Sequence, residues 1–76
     1  QVVESVTLAA RRPLEEMAAL ARCTESVRRT LGREGRVLVR WSGTGPKLRV
    51  MVEGPDEGRI AARAQELVAA ARQDVG

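Results

Sequence analysis

A chain of 76 residues makes one compact domain, and a domain of that size buries only about 60% of its extended surface. Its net charge of +3 comes from 13 basic and 10 acidic residues interspersed along the sequence, a mild excess rather than the concentrated basic stripe of a nucleic-acid binder. With no histidine and a single cysteine, Ser-His and Cys-His nucleophile pairs, internal disulfides and thiol- or imidazole-based metal sites are excluded.

No apolar run reaches the roughly 18 residues of a membrane span. No charged-then-apolar leader precedes a small-residue cleavage site. A cytoplasmic domain with no membrane partner is expected. The sequence enters at Gln1 directly into a β-branched run, which suggests an excerpt from a longer protein.

In chain order, VVESVTL (residues 2–8) is β-branched and roughly alternating, with Val2, Val6 and Leu8 on one side, and predicts a strand. Pro13 suits a first helical position, and Glu15 and Glu16 then fall where the helix dipole favours negative charge. Leu14, Met17, Ala18 and Ala21 recur at helical spacing. Leu20, Thr24, Val27 and Leu31 continue a rotated stripe, so the helix is expected to bend or break near residues 20–24. Gly32 reads as the glycine that ends it.

Two strands follow. Val37, Val39 and Trp41 share one face of the first, with Arg36, Leu38 and Arg40 on the other. In the second, Leu48, Val50 and Val52 alternate with Arg49, Met51 and Glu53. Beyond Gly54-Pro55, Asp56 offers an N-cap oxygen to a last helix whose apolar stripe is Ile60, Ala64, Leu67, Val68 and Ala71. The order is β-α-β-β-α. An α+β fold is expected, an antiparallel sheet of three to four strands with both helices on one face, because each helix has one apolar stripe to bury.

Alternation fixes the register of the two central strands. Placing Arg40 opposite Arg49 sets Trp41 against Leu48, Val39 against Val50 and Val37 against Val52, all on the covered face. A slip of one residue would invert one strand. The same register brings Arg36 to Glu53 and leaves Gly43 to Pro46 as the loop. Arg40 and Arg49 then emerge side by side on the open face, and like charges so placed cost several tenths of a kcal/mol, roughly.

An anion would offset that cost. Ser42 and Thr44 bring hydroxyls, Gly43 and Gly45 let backbone N–H groups converge, and Pro46 is expected to hold Gly45 extended. Two guanidiniums suit phosphate, which offers several acceptor oxygens. The plain alternative is a solvated turn built of ordinary turn residues. The coincidence of paired arginines with a hydroxyl-and-glycine loop is what points to a site.

The stretch Arg40-Trp41-Ser42-Gly43-Thr44-Gly45-Pro46-Lys47-Leu48-Arg49, followed by Val50-Met51-Val52-Glu53-Gly54, resembles the C-terminal domain of the α-D-phosphohexomutases, most closely the bacterial phosphoglucosamine mutases. That family carries a signature of the form R-x-S-G-T-E-P-x-x-R, usually followed by V-M-V-E-G. Pro13–Glu16, Leu31–Leu38 and the helix expected from Asp56 onward are also similar to it, so the likeness covers nearly the whole chain.

The resemblance implies that residues 1–76 are one domain, the C-terminal phosphate-binding domain of a longer phosphohexomutase with a TATA-binding-protein-like fold. The parent enzyme would interconvert glucosamine 6-phosphate and glucosamine 1-phosphate, using an active-site phosphoserine and Mg²⁺ held in earlier domains. Within this chain it implies no catalytic residue and no metal site. Arg40, Ser42, Gly43, Thr44 and Arg49 match the family's phosphate contacts, and the domain would close the cleft over a phosphosugar together with other domains of the same chain. One departure stands out: Gly45 replaces the signature's glutamate.

Two alternatives stay open at the level of sequence. One is a phosphoglucomutase or phosphomannomutase domain. The other is a non-catalytic nucleic-acid-binding α+β module using Arg36, Arg40 and Arg49. Trp41 is the only aromatic residue, which disfavours a base-stacking platform, and its alternation places it in the core. Gly32-Arg33-Glu34-Gly35 joins a helix to a strand rather than two helices, so it reads as a helix stop and turn rather than a nucleic-acid loop. Arg28, Arg29, Arg59, Arg63 and Arg72 read as solvated helix faces.

Overall fold

A computed structural model describes residues 1–75. Strand β1 (Val2–Thr7) is followed by a 3-10 turn (Leu14–Glu16) and helix α1 (Ala18–Leu31). A second 3-10 turn (Gly32–Glu34) leads into strands β2 (Arg36–Trp41) and β3 (Lys47–Glu53), and helix α2 (Glu57–Val75) completes the described chain. The sheet is antiparallel with order β1-β3-β2, so the strand carrying Arg49 lies in the middle. The expected α+β order holds.

The register of β2 on β3 is the one that alternation demanded, with Arg40 opposite Arg49, Trp41 opposite Leu48 and Arg36 opposite Glu53. Strand β1 pairs on the other side of β3, placing Ser5 beside Arg49 and Val3 beside Met51. Leu48, Val50 and Val52 are fully buried under both helices, packed with Met17, Leu20 and Val27 on the α1 side and Ile60, Ala64 and Leu67 from α2. Among the described residues no helix covers the opposite face of the sheet: Val3, Leu38, Arg40 and Arg49 are exposed there. This one-sided burial is what leaves the arginine pair accessible.

Helix α1 departs from expectation. The helical segment does not run on from Pro13 with a bend near residues 20–24. It breaks at Met17 (φ −93°, ψ 82°), after a single 3-10 turn. The break turns the Met17 side chain fully into the core. It also creates a new helix start whose local sequence holds no side-chain cap. The cap comes from far away: the Asp74 carboxylate accepts the N–H groups of Ala19 (3.1 Å) and Leu20 (2.8 Å). It thereby satisfies two of the orphan donors every helix start leaves.

Helix α2 starts as expected. Asp56 Oδ1 accepts the N–H of Arg59 at 3.0 Å. Gly32, at φ 61°, ends α1 in the backbone region that side chains avoid. Arg63 is not simply solvated, since it is half-buried and pairs with Glu66 at 2.9 Å.

Candidate functional site

The β2–β3 pair delivers Arg40 and Arg49 to the open face at adjacent positions, and the 42–46 loop closes the end of the ladder. A cavity of about 530 Å³ lies there, lined by Arg40, Arg49, Trp41, Ser42 and Gly43 together with Gln1, Val3, Leu38 and Met51. Both arginines therefore face one space rather than diverging. Beside their row runs an apolar row, Val3–Met51–Leu38, across all three strands.

Among the described residues, the ion pairs are Arg28–Glu25, Arg36–Glu53 and Arg63–Glu66. None involves Arg40 or Arg49. Arg36, at the far end of the same strand, has Glu53 at 3.6 Å, so the two arginines beside the loop are set apart from their neighbour by having no carboxylate.

Within the loop, the Ser42 N–H donates to Lys47 O at 2.8 Å. Among the described residues, no backbone or side-chain acceptor takes the N–H groups of Gly43, Thr44 or Gly45. Of these three only Gly43 lines the cavity, and a donor left unpaired at a cationic cavity is suited to an anion.

Three details differ from the sequence reading. The Ser42 hydroxyl donates to Thr44 O at 2.8 Å, so it must rotate before it can give that hydrogen to a ligand. Thr44 is exposed and is not among the residues lining the cavity. Gly45 is not extended: its φ is 64°. Glycine has no Cβ to suffer in that region, and its carbonyl accepts a hydrogen bond from Arg11 at 3.1 Å.

The contacts of Arg11 and Arg12 were not legible in the sequence. They sit in the connection between β1 and α1; the Arg11 side chain reaches the loop, while Arg12 meets Trp41 at the end of β2 through its carbonyl. Arg11 Nη1 also donates to Ser42 O (2.9 Å), and its guanidinium carbon lies 5.5 Å from the centre of the Trp41 ring. The Trp41 indole N–H donates to Arg12 O at 2.7 Å. Trp41 is thus half-buried rather than plain core, with one side on the core and its polar edge fastening the connection.

Over residues 4–70 the sequence matches the family described as phosphoglucomutase/phosphomannomutase, C-terminal domain. The chain belongs to that family. Proteins named phosphoglucosamine mutase are similar along its whole length. The one from Sorangium cellulosum is 53% identical over 75 residues, covering 99% of this chain and 16% of the relative. Those from Anaeromyxobacter sp. Fw109-5 and Anaeromyxobacter dehalogenans are 46% and 43% identical over 76 residues, covering all of this chain and 16% and 17% of the relatives. The chain therefore spans about a sixth of the length of these mutases.

For a phosphohexomutase C-terminal domain, the residues that converge here are cationic and neutral donors, the wrong chemistry for a Mg²⁺ site. Among the described residues no three His, Cys, Asp or Glu side chains gather into a metal-holding group. No helix among them is long and apolar enough to cross a membrane.

Proposed function

We propose that this chain is the C-terminal, substrate-phosphate-holding domain of a longer phosphoglucosamine mutase, one that interconverts glucosamine 6-phosphate and glucosamine 1-phosphate in the cytoplasm. Arg40 and Arg49 grip the phosphate that is not being transferred. The Gly43 N–H, and those of Thr44 and Gly45 as the loop adapts, complete the cup, and Ser42 adds a hydroxyl once it rotates. The observation that carries this is the pair of guanidiniums that, among the described residues, have no carboxylate, facing one cavity beside N–H groups that have no acceptor there.

The domain's contribution to rate is positioning. Holding one end of the sugar while the other reacts converts binding energy into orientation, which can supply about 7–11 kcal/mol of barrier reduction when geometry is ideal. The phosphoserine and the Mg²⁺ that neutralises charge on the transferred phosphoryl group would be held by the remainder of the longer protein, which also closes on this domain. The relatives' names favour glucosamine phosphate. The family description also covers phosphoglucomutase and phosphomannomutase, so the choice of sugar is a matter for assay.

The test is turnover by the full-length protein of glucosamine, glucose and mannose phosphates. Mutase activity is expected, with kcat/KM highest for glucosamine phosphate, and it should fall at least tenfold, roughly, in Arg40→Ala and Arg49→Ala. Activity unaffected by both substitutions would overturn the assignment of the site.

A further inference from the structure

Arg11 lies outside the signature and does not line the cavity, yet a single nitrogen of its guanidinium bridges both ends of the loop. Nη1 donates to Ser42 O at 2.9 Å and to Gly45 O at 3.1 Å. The bridge spans 31 and 34 residues of sequence, so it exists only in the folded state. Its partner on the other side is Trp41, whose ring lies under the guanidinium and whose indole N–H is fixed on Arg12 O. Arg12 in turn donates to Asp74 O at 2.8 Å, tying the connection to the end of α2.

The consequence for the loop follows from peptide planarity. In a trans peptide the C=O and the following N–H point in opposite directions, and the described residues include no cis peptide. Drawing Ser42 O toward Arg11 turns the Gly43 N–H the other way, and Gly43 is the loop glycine that lines the cavity. Gly45 O is drawn to the same guanidinium, and because residue 46 is proline no following N–H is turned away with it.

We propose that Arg11 is a positioning residue for phosphate capture: its bridge between the Ser42 and Gly45 carbonyls holds the loop so that the Gly43 N–H is presented to the anion. This rests on the phosphate-holding role proposed above for Arg40, Arg49 and the loop. It assigns Arg11 no contact with substrate. A lysine cannot substitute, since an ammonium lacks the planar face that lies over Trp41 while bonding both carbonyls.

The test compares the unaltered protein with Arg11→Ala, Arg11→Lys and Arg12→Ala, titrating each with inorganic phosphate and following the amide signal of Gly43. Arg12→Ala keeps the backbone carbonyl that Trp41 uses, so it reports the cost of loosening the connection from α2. Phosphate affinity is expected to fall about tenfold in both Arg11 variants, with loss of the phosphate-induced Gly43 shift. Arg12→Ala is expected to melt at lower temperature with phosphate affinity unchanged. Should Arg11→Ala not fold, Arg11→Lys alone decides the matter.

Full affinity in Arg11→Lys would reduce Arg11 to a nearby charge and overturn the proposal, as would unchanged affinity in both Arg11 variants. If phosphate fails to move the loop signals of the unaltered protein, the phosphate-holding role falls and this inference falls with it. Binding there that is indifferent to Arg11 overturns the inference alone.

Discussion

Arg40 and Arg49 stand directly opposite one another across β2 and β3, beside a loop and, among the described residues, without a carboxylate partner. A fold optimised only for stability has no reason to keep that arrangement, because a cross-strand pair of like charges costs several tenths of a kcal/mol, roughly. Replacing Arg49 with glutamine is therefore expected to separate stability from function. Thermal melting of the variant without ligand should match or slightly exceed that of the unaltered protein, while its stabilisation by added phosphate is lost. A fall in melting temperature would mean that the pair is held by something other than a ligand.

The Asp74 carboxylate fixes the start of α1 from the end of α2. Asp74→Ala removes both acceptors from a helix start that has no local cap, at an expected cost of about 1–2 kcal/mol. In a domain of this size each kcal/mol lowers the melting temperature by roughly 4–8 °C. Asp74→Asn, which keeps one acceptor oxygen, should lose less. Equal stability of all three proteins in urea would show that the α1 start finds water or another acceptor at no cost.

That cap also marks the limit of what the sequence reveals. Strands, register and the open arginine face were legible because period-two alternation is a local signal, and a slip would have buried Arg40 or exposed Val39. The break at Met17 was not, since what favours it is the core that Met17 fills and a carboxylate 55 positions beyond Ala19. Arg11 and Arg12 were hidden for the same reason. Two arginines ahead of a proline look like a solvated connection until the fold brings Trp41 and the loop against them. The family likeness identified Arg40, Ser42, Gly43, Thr44 and Arg49, and the fold draws all but Thr44 around one cavity.

Gly45 takes a backbone conformation that costs a residue with a Cβ about 1–2 kcal/mol, although open space surrounds the position. Gly45→Ala is expected to lose about that much stability by urea denaturation and to weaken phosphate binding as the loop relaxes. Gly45→Glu, restoring the residue of the family signature, should carry the same backbone cost. Undiminished stability in both variants would show that the loop adopts an extended residue 45 without penalty.

Cys23 is half-buried on α1. Burial first, then the Glu66 carboxylate, hold its thiol pKa above the ordinary 9.0, against a smaller opposing pull from Arg63. The folded state thus keeps the thiol proton more tightly than the unfolded chain does. The associated stability is complete below the unfolded thiol's pKa and is lost as pH rises through the folded value. Alkylation at neutral pH is expected to be slow compared with a free thiol. The decline in urea stability above about pH 9 should be shallower in Cys23→Ala. Rapid alkylation of the folded protein would contradict the burial that raises the thiol.

Most direct is a titration of the isotope-labelled protein with glucosamine 6-phosphate, following the backbone amides of Gly43, Thr44 and Gly45 together with the side-chain Nε–H signals of Arg36, Arg40 and Arg49. Binding in the millimolar range, about −4 kcal/mol, should move the Gly43 amide and the signals of Arg40 and Arg49 together and leave Arg36, paired with Glu53, in place. Stationary Gly43, Arg40 and Arg49 signals at ligand concentrations of about tens of millimolar, or a response centred on Arg36 instead, would contradict a phosphate held between the two guanidiniums and the loop.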